Sequence, residues 1–159
     1  MTARHTTLLF LGALLIIAAG CGGGGARDRA AGDASDTAAV QARLAEYAQL
    51  VRQMDHHGIA QLYAQDGVLG NAGSKGVQGP EAIEKFLRGF DAYHVVAYSV
   101  VADTTRVHGR EAYQAGSWRQ RVRVPKGDTV EVHGRFQLEW VRGPDGSWLI
   151  HRLGAIPQR

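Results

Sequence analysis

Seven histidines and one cysteine are the side chains of this chain best suited to bind a transition-metal ion. His56 and His57 are adjacent, so on a helix their side chains point about 100° apart and cannot chelate one ion as an i, i+4 pair. The remaining histidines after the first fifty residues lie on separate predicted strands, without a metal-ligand spacing; they are His94, His108, His133 and His151. We therefore predict neither a metal site nor a cofactor.

The single cysteine, Cys21, lies two positions after the end of a run of apolar and small residues over positions 8–19. That run is too short to span a bilayer, which takes about 20 residues. With Arg4 before it, the run fits the apolar core of a secretory signal. One cysteine also excludes an intramolecular disulfide scaffold and any zinc site built on a cysteine pair.

The segment Ala18-Ala19-Gly20-Cys21 resembles the bacterial lipobox. This resemblance implies that residues 1–20 are a lipoprotein signal peptide. Cys21 then carries diacylglycerol on its sulfur and a fatty acyl group, such as palmitate, on its amine. Membrane lipid is then the partner of Cys21, and the protein is lipid-anchored in the cell envelope. Gly22 rather than Asp follows the cysteine, which favours the periplasmic side of the outer membrane in a Gram-negative cell. Ordinary signal cleavage nearby is the alternative.

Composition and charge limit the classes of protein to which the rest of the chain can belong. A composition with 45% hydrophobic and 21% charged residues is that of an ordinary globular domain. A net charge of +3 is too small to imply nucleic-acid binding. Residues 22–36 contain no large apolar side chain, so 21–36 is expected to be the lipidated cysteine and a flexible tether. Residues 37–159 are then expected to form one domain.

The first half of that domain has the pattern of three helices. A long first helix, capped by Asp36 or Thr37, is indicated by one apolar stripe: Val40, Leu44, Tyr47, Val51 and Met54. Asp55 can cap a short second helix that buries Ile59, Leu62 and Tyr63. A glycine-rich stretch over 67–79 should hold a short strand at most, and Pro80 and Gly89 should begin and end the third helix.

The second half alternates with the period of strands, over 93–107, 111–124, 129–141 and 147–155. In the hairpin around residues 125–129, we expect Arg123 opposite Glu131 and Val122 opposite Val132. One face of the sheet is then apolar under the helices. The other is charged, and its stripe of Arg119, Arg121 and Arg123 favours a solvated surface or a homodimer interface. The prediction is an α+β roll.

Several segments in this order resemble the nuclear-transport-factor-2-like fold, and more narrowly the SnoaL-like bacterial domains of the SgcJ/EcaC and calcium/calmodulin-kinase association type. The segments are Asp55-x-x-Gly58-Ile59-x-x-Leu62-Tyr63-Ala64-x-Asp66-Gly67-Val68, Gly79-Pro80-x-Ala82-Ile83-x-x-Phe86-Leu87, Gly134-Arg135-Phe136 and Asp145-Gly146-x-Trp148-x-Ile150. The resemblance implies a cone-shaped roll: three helices on a curved antiparallel sheet of four long strands and a short one, with a pocket between the two layers.

The resemblance to ketosteroid isomerase within this fold bears on activity. Tyr47 falls on that enzyme's oxyanion tyrosine, Asn71 on its catalytic base and Phe136 near its second donor. An amide cannot take up a proton near neutral pH, and a phenyl ring cannot donate one. We therefore predict no catalytic residue at these positions and no isomerase chemistry of this kind. A buried core tyrosine is the alternative role for Tyr47.

The predicted strands also place His94 and Tyr98 on one face. The full set of candidate pocket residues is Tyr47, Asn71, His94, Tyr98, Gln114, Trp118, Gln120 and Phe136. For Gln114 and Gln120, the alternative is a solvent-exposed position near the edge of the sheet. The segment from Gly70 to Gly76 has the wrong spacing for a phosphate loop and is expected to be a mobile loop at the pocket mouth.

Three hypotheses for function remain from the sequence. The first is a membrane-anchored domain that binds a small, largely apolar ligand in its cone. The second is a dimerising module without a ligand. The third is a lyase or isomerase that uses His94 or Tyr98 as a non-standard base.

Overall fold

A computed structural model describes residues 24–158; the predicted signal segment and Cys21 lie outside the described residues. The helices are α1 (Gly24–Gln53), α2 (His56–Gln61) and α3 (Pro80–Arg88). The strands are β1 (Tyr63–Asn71), β2 (Val77–Gln78), β3 (His94–His108), β4 (Glu111–Arg123), β5 (Thr129–Arg142) and β6 (Trp148–Gln158). None of the described helices is long and apolar enough to cross a membrane.

The six strands form one sheet in the order β2-β1-β6-β5-β4-β3. Neighbouring strands of the sheet are antiparallel, except that β1 and β6 run parallel to each other. The predicted α+β roll, with helices against one face of a curved sheet, is confirmed. The glycine-rich stretch holds more strand than expected, because β1 and the short β2 pair as a hairpin through Val68–Gln78 and Leu69–Val77. The segment expected as a loop at the pocket mouth is therefore the turn of this hairpin.

Helix α1 begins at Gly24, so the part of the predicted tether that the structure describes is helical. Alanine-rich sequence without proline has high helix propensity and needs no core contact to be helical. Residues 32–35 are exposed, in keeping with their lack of apolar side chains. Thr37 does not cap a helix start; it lies within α1, and its hydroxyl donates to the carbonyl of Asp33 at 2.8 Å.

The contacts of α1 with the sheet begin at Asp36. Asp36 forms an ion pair with Arg142 of β5, and the Arg142 guanidinium lies 4.7 Å from the centre of the Trp148 ring. Arg43 donates from Nε to the Trp148 carbonyl at 2.9 Å. The predicted apolar stripe then begins with Val40, which is fully buried in the core. Polar contacts therefore fix the start of α1 across the β5–β6 end of the sheet.

The two short helices begin as the sequence predicts. The Asp55 carboxylate accepts from the Gly58 amide at 2.8 Å and caps α2. Pro80 is the first residue of α3, where its missing N–H costs nothing. Helix α2 is shorter than expected, because Tyr63 is the first residue of β1 rather than part of a helix face.

The hairpin between β4 and β5 has a different register from the one predicted. Arg121 pairs with Glu131, and Val122 pairs with Val130. The prediction was wrong by two residues because the turn closes between Val124 and Asp128. A shift of two residues keeps every side chain on its predicted face. The arginine stripe therefore remains outside, where Arg119 pairs with Glu131 at 3.3 Å. Dimerisation through this face stays a prediction.

Strand β3 has a β-bulge beside Gly116 of its neighbour β4. Strand β3 carries an extra residue at Asp103, between the pairs Ala102–Gly116 and Thr104–Ala115. The Asp103 carboxylate pairs with Arg135 at 2.6 Å on the outer face. A methyl group on Gly116 would lie 1.9 Å from the Val101 carbonyl oxygen and 2.8 Å from the Phe136 ring. The two strands can therefore approach this closely only because residue 116 has no side chain.

We expect Gly116→Ala to lower the free energy of unfolding by about 2 kcal/mol or more, because the added methyl group must push the β3 backbone or Phe136 aside. Urea denaturation measures this. The matched control is Gly32→Ala in α1, where nothing besides the neighbouring backbone of the helix itself lies within 4 Å of the new methyl group. Equal stability of the Gly116 variant and the wild type would show that the bend does not depend on this contact.

Candidate functional site

A cavity of about 490 Å³ lies between the helices and the concave face of the sheet. Its deep end is closed by three side chains that are almost completely buried: Ile59 of α2 with Phe136 and Leu138 of β5. These residues belong to the hydrophobic core of the domain. The cavity is therefore the unfilled part of the core, and its floor is set by the packing that holds the fold together.

The other end of the cavity is open to solvent. Four apolar or aromatic residues line it while remaining between 37% and 44% exposed: Phe90, Tyr93, Val130 and Val132. On the helix side, the rings of Phe90 and Tyr93 pack with their centroids 5.9 Å apart. These residues form the pocket mouth, between the segment after α3 and the β4–β5 hairpin, where a ligand could enter without moving the core.

The walls of the cavity are almost entirely apolar. Among the described residues, no Asp, Glu, Lys or Arg side chain lines it. The titratable side chains that do so are Tyr47, His56, Tyr93 and Tyr98, and Gln120 adds one amide. A charged ligand would find no opposite charge in these walls, and its burial would be strongly unfavourable. The cavity is therefore suited to a neutral molecule with few polar atoms.

Two of the polar groups in the cavity wall belong to a cluster of tyrosines. The rings of Tyr47 and Tyr98 pack edge to face, with centroids 6.4 Å apart. Behind them Tyr63 is 3% exposed, and its hydroxyl makes no hydrogen bond of ordinary geometry among the described residues, although it lies near that of Tyr47. The backbone of Tyr98 is held to α1, because Arg52 donates to its carbonyl at 3.2 Å.

Burial keeps these three phenols protonated. It raises the pKa of Tyr47 from 10.0 to about 12, although the nearby Tyr63 hydroxyl lowers it slightly. It also raises the pKa of Tyr63 and that of Tyr98 well above 10.0, and the neighbouring Tyr47 adds to both effects. A protonated phenol in an apolar wall can donate a hydrogen bond to a ligand but cannot act as a base near neutral pH.

Five of the residues predicted from the sequence line the cavity: Tyr47, Tyr98, Trp118, Gln120 and Phe136. The indole N–H of Trp118 donates to the Arg135 carbonyl at 3.1 Å, so the ring supplies a flat apolar wall rather than a free donor. Phe136 occupies the floor.

His94 is not in the cavity, contrary to the expectation. It is exposed at the start of β3 and pairs with Arg123, whereas Val95 and Tyr98 both line the cavity. The reason is a β-bulge at Val96, between the pairs Val95–Val122 and Ala97–Arg121. One extra residue reverses the alternation of faces, so His94 and Tyr98 point to opposite sides of the sheet.

Gln114 and Asn71 also do not line the cavity. Gln114 is completely buried in the core, where its amide donates to the Thr105 hydroxyl at 3.1 Å and accepts from the Trp140 indole at 3.0 Å. It is therefore neither a pocket residue nor a wet edge residue. Asn71 is exposed at the end of β1 and pairs with Ala155, which does line the cavity. It reaches the rim at most.

His56 is a cavity residue that the sequence reasoning missed. It is 9% exposed, and its Nδ1 lies 3.0 Å from Oδ1 of Asp91, just after α3. Its spacing to the buried residues Ile59 and Ala60 is that of one helix face, which could have indicated burial. Its pairing with Asp91, 35 residues along the chain, has no sequence signal. Within the described part of the chain, no group of three potential ligands could hold a metal ion.

Comparison with known families agrees with this geometry. The family model for the SnoaL-like domain matches residues 32–154, which include the helices and strands that line the cavity. The chain belongs to the SnoaL-like domain family. Its fold is the nuclear-transport-factor-2-like cone. No curated protein matches the sequence.

Solved structures share the SnoaL-like fold at low sequence identity. A ketosteroid isomerase-like protein from Erwinia carotovora is 14% identical, with a TM-score of 0.70, over 78% of this chain and 97% of its own. A conserved protein from Planctomyces limnophilus is 18% identical, with a TM-score of 0.68, over 78% and 98%. A protein from Catenulispora acidiphila, solved with S-DNPA, is 18% identical, with a TM-score of 0.62, over 78% and 94%. These likenesses show the fold alone.

We expect at most two of the five tyrosines to ionise while the SnoaL-like domain stays folded, because Tyr47, Tyr63 and Tyr98 keep their protons above pH 10. The unfolded chain loses these protons near pH 10. Their contribution to the free energy of unfolding is therefore complete below pH 10 and is lost as the pH rises towards and beyond 12. Tyrosinate absorbance, recorded with circular dichroism against pH, measures both effects.

The urea-unfolded protein is the control for this titration, since all five tyrosines should then ionise together near pH 10. Ionisation of four or more tyrosines near pH 10 without loss of secondary structure would contradict the burial of the cluster.

Proposed function

We propose that this SnoaL-like domain binds a small, neutral, largely apolar molecule in its cone. The observation that carries the proposal is the open cavity of about 490 Å³ with almost wholly apolar walls. Its volume falls within the range of small-molecule sites, about 300–1,000 Å³. The cavity is connected to solvent through an apolar mouth. Displacement of water from its apolar walls by a ligand makes the free energy of binding more favourable.

The placement of the polar groups suggests how such a ligand is oriented. Tyr47 and Tyr98 meet at one part of the wall, and both phenols are protonated. A ligand with one carbonyl, ether or hydroxyl oxygen can accept a hydrogen bond there while its apolar body faces Trp118 and the valines of the mouth. The protein solved with S-DNPA supports the capacity of this fold to hold a small molecule.

We expect Val132→Glu to weaken the binding of the neutral fluorophore N-phenyl-1-naphthylamine by about tenfold or more. The substitution removes apolar surface from the mouth and places a charge where the ligand must pass or rest. The change in fluorophore emission on titration with protein measures the dissociation constant.

The matched control is Val101→Glu. Val101 is a more exposed valine, at 60%, on the outer face of β3, where it pairs with Ser117. The control should bind the fluorophore like the wild type. Equal weakening by both substitutions, or no binding by the wild type, would contradict a ligand site in the cone.

We further propose that the domain is held at a membrane through lipid on Cys21, as a lipoprotein of the cell envelope. The lipobox-like segment Ala18-Ala19-Gly20-Cys21 supports this proposal. The helical segment at the start of α1 would then separate the pocket from the membrane surface by a stiff rather than a flexible connection. Dimerisation without a ligand has no comparable supporting observation.

For the anchor, we expect Cys21→Ser to move the protein from the detergent phase to the aqueous phase in a partitioning experiment and to leave the precursor uncleaved. Without the thiol there is no acceptor for the diacylglycerol, and stable anchoring takes more than one acyl chain. Gly22→Ala, beside the cysteine and likewise after the expected cleavage point, should partition like the wild type. Detergent-phase partitioning of the serine variant would contradict the anchor.

A further inference from the structure

Exposed apolar side chains gather at the mouth of the cavity. Among the described residues, eight large apolar or aromatic side chains are exposed, and six of them lie at this end of the domain: Phe86, Phe90, Tyr93, Val96, Val130 and Val132. Single exposed apolar side chains are ordinary on a protein surface, but a contiguous group of them marks a surface of interaction. The rim of the mouth is therefore a candidate contact surface in its own right.

The aromatic part of this surface extends beyond the cavity. Phe86 of α3 is 46% exposed and does not line the cavity, yet its ring packs against that of Phe90, with centroids 5.5 Å apart. Phe90 in turn packs against Tyr93. Three rings thus form a continuous row from the surface of α3 into the mouth. A ligand inside the cone would leave Phe86 uncovered, so the row fits a partner larger than that ligand.

Basic side chains flank the apolar rim on the β4–β5 hairpin. Arg121 and Arg123 lie on the outer face of β4, and Lys126 is exposed in the turn. Within the part of the chain that the structure describes, these three cations form no ion pair, and Glu131 pairs with Arg119 instead. The segment 119–131 has four basic and two acidic side chains. Two copies meeting through this hairpin would bring like charges together, so an anionic partner is favoured.

We propose that the mouth of the cone docks on the surface of a membrane that contains anionic lipid. The exposed rings and valines enter the boundary between headgroups and acyl chains, and the long basic side chains reach the phosphates. The tip of a strand pair that enters this boundary meets lipid on both faces. The apolar inner side chains of the hairpin and its basic outer ones therefore act together.

Docking in this orientation opens the cavity into the bilayer. A neutral, apolar molecule can then pass between the bilayer and the cone without crossing water, a step that rests on the proposed binding function. A bilayer fits the mouth better than an acidic protein does, because the molecules to which the cone is suited concentrate in bilayers. The inference thus names the source of the ligand as well as the partner of the surface.

The docking surface lies at the opposite end of the domain from the proposed anchor. Strand β5 starts beside the mouth at Thr129 and ends at Arg142, which pairs with Asp36 of α1. A strand of its 14 residues spans about 45 Å. From Asp36, α1 continues back to Gly24, towards Cys21. Lipid on Cys21 therefore does not by itself bring the mouth to a membrane, and the two contacts need separate tests.

A nitrobenzoxadiazole fluorophore on the thiol introduced by Thr129→Cys tests the docking. Thr129 is exposed beside the turn and does not line the cavity, so the label reports on lipid rather than on the cone. The full chain also carries Cys21→Ser, which leaves one thiol. We expect vesicles of equal parts phosphatidylcholine and phosphatidylglycerol to shift the emission to the blue and raise it about twofold or more. Phosphatidylcholine alone should need about tenfold more lipid.

The same label on Val101→Cys is the control for position. Val101 is exposed on the outer face of β3, away from the mouth. Its label should respond to neither kind of vesicle. Because each label reports only its own surroundings, lipid contact made by the apolar run at 8–19 does not count as docking. An equal response at both positions would overturn the proposal.

Charge reversal tests the role of the basic side chains. Arg123→Glu combined with Lys126→Glu should raise the lipid concentration for half-maximal response about tenfold or more. Arg106→Glu combined with Arg152→Glu makes the same change of net charge at exposed positions towards the other end of the sheet. It should change that concentration by less than about threefold. Equal effects of the two pairs would show that overall charge, not the mouth, attracts the vesicles.

Phe86→Ser separates docking from ligand binding. Since Phe86 is exposed and outside the cavity, the variant should bind N-phenyl-1-naphthylamine like the wild type when vesicles are absent. Its docking should weaken about threefold or more, because one of the three rings is lost. If the wild type does not bind this fluorophore but its label at position 129 responds to anionic vesicles, the proposed function fails and the docking surface stands.

Two further outcomes would overturn the docking proposal. A label at position 129 that ignores anionic vesicles would exclude a membrane and leave an acidic protein as the partner that fits the charge. A blue shift that grows with protein concentration in the absence of vesicles would identify a second copy of the chain as the occupant of the surface.

Discussion

The close approach of β3 and β4 at Gly116 is the contact on which the shape of this domain depends. A side chain at residue 116 would overlap the Val101 carbonyl oxygen, and the extra residue Asp103 in β3 lies directly beside this point. A bulge opposite a glycine increases the local twist and bends the strand pair. The sheet therefore curves around a space. The core closes one end of that space with Phe136 and Leu138, and α1 covers it without filling it.

A second irregularity of β3 determines which of its side chains line the cavity. The second bulge of β3, at Val96, reverses the order of faces, so Val95 and Tyr98 both point inward. It thereby brings Tyr98 against Tyr47 of α1 and excludes His94. A largely apolar cavity with a few protonated phenols follows from this arrangement. Among the described residues, the one imidazole that lines it is that of His56 in α2, outside the sheet, and it is paired with Asp91 beyond α3.

Much of the fold could be predicted because it depends on local patterns. The apolar stripe of α1, the Asp55 cap and the alternation along β5 are periodic or adjacent in sequence, and they appear where expected. The register of the β4–β5 hairpin was wrong by two residues because several turn closures fit the same Pro125–Asp128 segment. The helix at residues 24–36 was missed because absence of apolar side chains indicates absence of a core, not absence of a helix.

The candidate site was harder to predict, since its membership depends on irregularities and long-range pairs. Alternation places Trp118, Gln120 and Phe136 correctly, because β4 and β5 are regular there. It fails at His94, where a bulge intervenes, and at Gln114, whose amide satisfies the buried indole of Trp140. A glutamine can thus line the cavity, as Gln120 does, or satisfy a hydrogen-bonding group of the core, as Gln114 does. The partners that decide this, such as Asp91 for His56, lie far along the chain.

Methyl NMR spectra of the valine and leucine side chains, recorded during titration with N-phenyl-1-naphthylamine, test the central claim most directly, since these methyl groups mark both faces of the sheet. We expect shifts to concentrate on Leu44, Val100, Val122 and Leu138, which line the cone, while Val101 on the outer face stays unchanged. Shifts concentrated on Val101 and its outer-face neighbours, with the cone methyl groups unaffected, would contradict it.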